Sequence, residues 1–179
     1  MVSLTWEPAL TRPELLASTV LNALHAWAQE CPDVASSVLV AAIDPELADT
    51  QALTDAYGLD LAISANCVVV GGKRAGEEKV AAAVVRATTR ADVNSSVKGL
   101  LDVRKASFLP TERAVAESGM EYGGITPLGL PTGWRILLDS RVATGDALIG
   151  SGLRASKILL PGELLARYPG VEVITDLAH

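Results

Sequence analysis

A mixed α+β domain built on a strongly curled sheet is the fold class that this sequence predicts, and three observations predict it. Candidate strands come in neighbouring runs with helices interspersed, not in the regular strand–helix alternation of a doubly wound sheet. Hydrophobic residues make up 49% of the chain, enough at a length of 179 residues for one domain with a real core. Aromatic residues make up only 4%, so that core has to be assembled from Ala, Val, Leu and Ile.

The elements follow in order. Thr11-Arg12-Pro13-Glu14 opens a helix: Thr11 caps it, Glu14 reaches back as a capping box, and Pro13 suits the first turn. Leu15, Leu16, Val20, Leu21, Leu24 and Trp27 then recur at helical spacing until Pro32. "SSVLVAAI" (36–43) reads as a strand, and "DTQALTDAYG" (49–58) as a helix closed by Gly58. "NCVVVGG" and "KVAAAVVRAT" read as a hairpin around the polar turn "KRAGEE" (73–78). Residues 92–103 form a helix capped by Asp92, "KASFL" a short strand, and 110–119 a helix capped by Thr111 and closed by Gly119. Strands follow at 134–140, 146–151 and 156–160. A short helix at 161–170 and a last strand at 171–175 complete the chain.

Composition excludes several classes of function. Cys31 and Cys67 give neither a disulfide framework nor metal-ligand spacing, and Cys67 lies in the apolar run "NCVVV" as a buried thiol. The histidines are His25, expected as a partly buried helix residue, and His179. No His/Cys cluster suggests zinc, no nucleophile elbow accompanies His25, and no metal or cofactor is expected. The N-terminus lacks the basic and apolar regions of a secretory signal, and no apolar run approaches membrane-spanning length, so a cytoplasmic protein is expected. The net charge of −6 is uneven: residues 1–60 hold nine acids and one base, Arg12. That balance argues against wide polyanion contact, while the rest of the chain can carry a local basic patch. "GGKRAGEEK" fails as a phosphate loop because Glu77 stands where lysine is needed. "GSGLRA" (150–155) fits a dinucleotide fingerprint on paper, but the strand "SKILL" follows it where a helix is required.

The most unusual stretch is "MEYGGITPLGLPTG" (120–133), four glycines and two prolines between a helix and a strand. Gly123 and Gly124 allow another molecule to approach the main chain, and Pro127 fixes its own backbone and extends Thr126. Two readings remain open. The loop is either a tight crossover or a rigid cradle whose amides bind a carbonyl, carboxylate or phosphate oxygen.

"ASFLPTERAVAESGMEYGGITPLGLP" resembles the YbaK/EbsC family, which is related to the editing domain of bacterial prolyl-tRNA synthetases. The likeness continues through "RILLDS" with Asp139, the turn Gly150-Ser151-Gly152-Leu153-Arg154 and the "GELL" helix. It spans residues 55–178 of a single editing-type domain and leaves residues 1–50 as a helical extension. The resemblance implies a mostly antiparallel sheet forming a partial barrel with flanking helices. It also implies hydrolysis of a small amino acid wrongly esterified to tRNA, acting in trans. Gly123, Gly124, Ile125, Thr126 and Pro127 would present catalytic amides. Asn66, Cys67, Tyr122, Asp139, Gly150, Ser151, Gly152 and Arg154 would contact the substrate. Ala65, Cys67 and Ile125 would line a small side-chain pocket, and Lys98, Arg104, Lys105, Arg135 and Arg154 would meet tRNA phosphates. Replacing Gly124 is expected to abolish activity and spare the fold.

One departure stands out. Asn66 occupies the position where the family usually carries a lysine, and Lys73 on the hairpin turn is one alternative source of charge. The chain therefore either edits with a modified site, binds a different ligand, or binds a small amino-acid-like ligand or an RNA 3′ end without hydrolysis. A protein partner docking on the acidic N-terminal region is a further expectation.

Overall fold

Two open sheets organise the chain in a computed structural model that describes residues 3–179. Their strands are β1 (Glu7–Pro8), β2 (Leu39–Ala42), β3 (Ala65–Arg74), β4 (Glu77–Arg86), β5 (Ala106–Phe108), β6 (Arg135–Asp139), β7 (Asp146–Gly150), β8 (Ser156–Pro161) and β9 (Val171–Ile174). The helices are α1 (Ser18–Glu30), α2 (Val34–Ser37), α3 (Thr50–Tyr57), α4 (Lys98–Leu101), α5 (Thr111–Ser118) and α6 (Gly162–Leu165).

The α+β class stands; the single curled sheet forming a partial barrel does not. One sheet has the order β1-β2-β8-β7 and is antiparallel throughout. The other has the order β5-β3-β4-β6-β9 and is mixed, with β6 parallel to both β4 and β9. Neither closes on itself, and among the described residues one parallel bridge, Ser64 to Leu148, links them. The physical reason is a change of partner. The β7–β8 hairpin leaves β6 and pairs with β2, a strand from the N-terminal segment, so the sheet splits instead of rolling up.

The hairpin of β3 and β4 turns on two residues, not six. Ala75 (φ 51°) and Gly76 (φ 82°) are both left-handed, which matches the twist of the flanking strands. β4 is buried on both faces and alternates between them. Ala81, Ala83 and Val85 pack with Val97, Leu101 and Leu177, whereas Val84 faces the larger core with Ile136 and Leu138. That larger core lies between the sheets and α1, which contributes Val20, Leu24 and Trp27. Trp27 meets Tyr168 edge-on at 5.1 Å between ring centroids.

The first helix begins later than its sequence signature suggests. Residues Ala9–Thr11 and Pro13–Leu15 form separate 3-10 turns, and α1 starts at Ser18. The hydroxyl of Thr11 donates to the Pro8 carbonyl at 2.7 Å, and Glu14 accepts from Arg12 at 2.6 Å. Both halves of the expected capping box are thus engaged elsewhere. Residues 92–103 likewise split, into a π-helical turn Val93–Val97 whose amides Ser95 and Ser96 donate to Asp92, and then α4. Pro110 stands where Thr111 was expected to cap α5, with no side-chain cap. The N-terminal segment enters the core: β2 lies between β1 and β8, so cutting away residues 1–50 would remove an inner strand.

Candidate functional site

A cavity of about 420 Å³ opens where β3, β7, β8, the start of α3 and α5, and the glycine loop meet. The register of β8 decides its chemistry. Ser156, Ile158 and Leu160 turn into the main core, which leaves Lys157 on the opposite face, paired with Gly150 of β7. Lys157 and Asp49 are the charged residues that line the cavity. The Lys157 Nζ donates to the Gly123 carbonyl at 3.5 Å. Its pKa lies below the ordinary lysine range, first because burial strips water from the ammonium and then because Arg154 repels it; Asp49 partly offsets this.

The glycine loop is clasped to the turn that follows β7. Glu121 N donates to the Gly152 carbonyl at 2.8 Å, and Gly152 N donates to the Gly124 carbonyl at 2.8 Å. Gly124 leaves no room for a side chain: a Cβ there would sit 2.6 Å from the Leu153 oxygen and 2.7 Å from its carbon. Gly150 is equally tight, since a Cβ would lie 2.4 Å from the Gly124 oxygen. The expectation that Gly124 could be replaced without harm to the fold therefore fails, because the obstruction is backbone. Gly124 N closes a turn onto the Glu121 carbonyl at 2.9 Å, so that amide faces inward. Among the described residues, the amides of Gly123, Ile125 and Thr126 have no protein acceptor. The stretch thus combines a tight crossing, made at Gly124, with unpaired amides on the two cavity-lining residues beside it, Gly123 and Ile125.

Other residues expected at the site divide into two groups. Asn66, Cys67, Tyr122, Gly123, Ile125, Gly150 and Ala65 line the cavity. The Asn66 amide oxygen accepts from the Thr50 hydroxyl at 3.1 Å. Burial pushes the Cys67 thiol up to about 12, although the residue as a whole remains partly exposed. Thr126 and Pro127 are buried behind the loop, and the Thr126 hydroxyl finds no partner among the described residues.

Asp139, Ser151, Gly152 and Arg154 lie off the cavity wall. Asp139 is fully buried and accepts from Arg141 N at 2.9 Å and Ala178 N at 3.0 Å, which ties down the C-terminal segment. Ser151 bonds Ser156 at 2.7 Å between hydroxyls, and Gly152 presses against Ala17. Arg154 reaches over Gly123 and stacks 5.6 Å above the centre of the Tyr122 ring, at the rim. Arg135 is held by Glu172 and by the Leu100 carbonyl, which leaves it poorly placed for a phosphate. His25 is exposed on α1, not partly buried.

Lys157 was missed by sequence reasoning, which read "SKILL" only as a strand. The signal was present as a single charge inside an apolar run, but its direction depends on the register with β7. Asp49, Thr50, Phe108, Thr111 and Ala114 reach the cavity from three further elements. Among the described residues, no group of three or more His, Cys, Asp or Glu side chains gathers to hold a metal ion, and no helix is long and apolar enough to cross a membrane.

The model of the aminoacyl-tRNA editing domain matches residues 44–168, well over half of the chain. The chain belongs to that family, the YbaK/EbsC aminoacyl-tRNA editing domains. No curated protein matches it. Among solved structures it is similar to hypothetical protein APE2540, with TM-score 0.72 and 17% identity over 88% of this chain and 99% of that one. It is also similar to a protein put forward as a trans-editing enzyme for prolyl tRNA synthetase, with TM-score 0.69 and 16% identity over 89% of this chain and 97% of that one. At these identities the likeness concerns the fold.

Proposed function

We propose that the protein is a free-standing deacylase that hydrolyses the ester between tRNA and a small, wrongly attached amino acid. The observation that carries this reading is the meeting, at one cavity, of acceptor-free amides beside Gly124 with the half-buried ammonium of Lys157. Water adds to the ester carbonyl carbon, and the carbonyl oxygen becomes an oxyanion. The amides and Lys157 stabilise that charge. Collapse then breaks the bond to the ribose oxygen, which leaves as a hydroxyl after taking a proton, and the free amino acid is released. The neighbouring ribose hydroxyl orients the water, as the family resemblance implies, so no strong protein base is needed. Lys157 delivers from β8 the positive charge that the family usually places where Asn66 stands. Ala48, Ala65, Cys67 and Ala114 give the cavity an apolar wall against which the side chain of the amino acid packs.

The test is release of amino acid from a panel of tRNAs mischarged with alanine, serine or proline. No release above the buffer rate for any of them removes the enzyme reading. A second reading, binding of the same ligand without turnover, is favoured by the capture of Asn66 by Thr50. It predicts a ligand-dependent rise in melting temperature with no hydrolysis.

A further inference from the structure

A second groove, of about 250 Å³, runs beside the cavity, and the two share Phe108. This is the chain's only phenylalanine, and it stands 62% exposed at the end of β5. Apolar burial would hide such a ring, so an open one at the junction of two depressions suggests a surface made for contact. Beyond it the groove is lined by Lys73, Lys105 and Arg113 against one carboxylate, Glu78. Glu78 is fully engaged by Arg113, at 2.7 and 2.6 Å. Among the described residues, Lys73 and Lys105 belong to no ion pair.

The register explains how the two lysines come together. Val70 pairs with Phe108, Gly71 with Ser107 and Gly72 with Ala106. The ladder ends at Gly72 and Ala106; just beyond it the amide of Arg104 donates to the Lys73 carbonyl at 3.4 Å, which brings Lys73, paired with Glu78 across the β3–β4 hairpin, and Lys105 to one groove. A chain of net charge −6 nevertheless gathers them beside its most exposed ring but one. An open ring followed by paired cations is the combination that single-stranded nucleic acid requires: a face for a base and charge for the phosphates.

We propose that Phe108, Lys73 and Lys105 form a track for the unpaired 3′ strand of the RNA, with the ring stacking one base and the ammonium groups meeting phosphates along the edge of β5 and β3. The inference rests on the reading of the cavity as the seat of an RNA 3′ end, and it assigns the direction in which the strand leaves.

The test is fluorescence anisotropy of the full-length protein with a labelled, uncharged, single-stranded RNA ending in CCA, over a salt series. Phe108→Ala is expected to weaken binding about tenfold with an unchanged salt slope, and Phe108→Tyr to retain it. Lys73→Glu and Lys105→Glu should each weaken binding and flatten the slope of log affinity against log salt by about 0.7. Arg167→Glu, exposed just after α6 and outside both depressions, serves as the control and should bind as the parent does. Circular dichroism of each variant separates loss of contact from loss of fold. Wild-type affinity in both Phe108→Ala and the lysine variants, or no binding by the parent protein, overturns the track. The RNA carries no amino acid, so the outcome is independent of hydrolysis: a protein that binds this way and never deacylates keeps the track and loses only the enzyme reading.

Discussion

Replacing Gly124 by alanine is the sharpest perturbation that the geometry offers. The new Cβ would lie 2.6, 2.7 and 2.9 Å from the oxygen, carbon and nitrogen of Leu153. Ordinary contacts at such atoms begin nearly 1 Å further out, and no side chain can rotate away because all three atoms are backbone. The loop at 121–127 must therefore separate from the turn at 150–154. That strains or breaks the two bonds that clasp them, from Glu121 N to the Gly152 carbonyl and from Gly152 N to the Gly124 carbonyl, each 2.8 Å long. Two buried hydrogen bonds at about 1 kcal/mol each, with about 1 kcal/mol of overpacking, give a loss of roughly 3 kcal/mol. A displacement of that size beside the reacting carbonyl is expected to lower the hydrolysis rate by about a hundredfold or more. Gly99 is the comparison: it has open space around it and no left-handed φ, so Gly99→Ala should be neutral or stabilise by up to about 1 kcal/mol. Urea denaturation and deacylation of the preferred mischarged tRNA measure both effects. A Gly124→Ala protein with the parent's denaturation midpoint and the parent's rate would refute the reasoning.

Further predictions follow from three side chains. Lys157→Met should reduce deacylation by about a hundredfold, the cost of one oxyanion donor, with little change in melting temperature. Because the Lys157 pKa is lowered, enzyme-dependent hydrolysis should decline on the alkaline side at a pH below the ordinary lysine range, and Lys157→Arg should move that decline upward; a rate that tracks the buffer rate through this interval contradicts the role. Arg86 is buried and its guanidinium bonds four carbonyls, those of Ile63, Arg141, Thr144 and Asp146, so Arg86→Met should destabilise by about 3 kcal/mol or more in thermal or urea unfolding. Cys67, pushed up to about 12 from 9, should alkylate roughly a thousandfold more slowly at pH 8 than a free thiol, as mass spectrometry after iodoacetamide would show. The sign for stability follows from the same shift: the unfolded thiol ionises first, so this contribution is complete below pH 9 and is lost as pH rises toward 12.

The sequence by itself determined what depends on near neighbours. Gly58 and Gly119 close α3 and α5 in left-handed conformations as their positions foretell, and the apolar run in "KVAAAVVRAT" marks a strand, which the structure buries on both faces. The glycine loop and its family were also legible, because an unusual run of special residues needs no partner to be noticed. Only the tertiary structure decided which strands pair, and with that the outline of the site. The choice of β2 as the partner of β8 splits the expected curled sheet in two, and nothing local to either strand encodes it. The register of β8 against β7 turns Lys157 toward the cavity, while the fold buries Asp139 among backbone amides; slipping the strand by one residue would exchange its two faces. The glycines at 124 and 150 look alike in the sequence, but their purpose, letting two loops touch backbone to backbone, exists only once residues far apart in the chain are brought together.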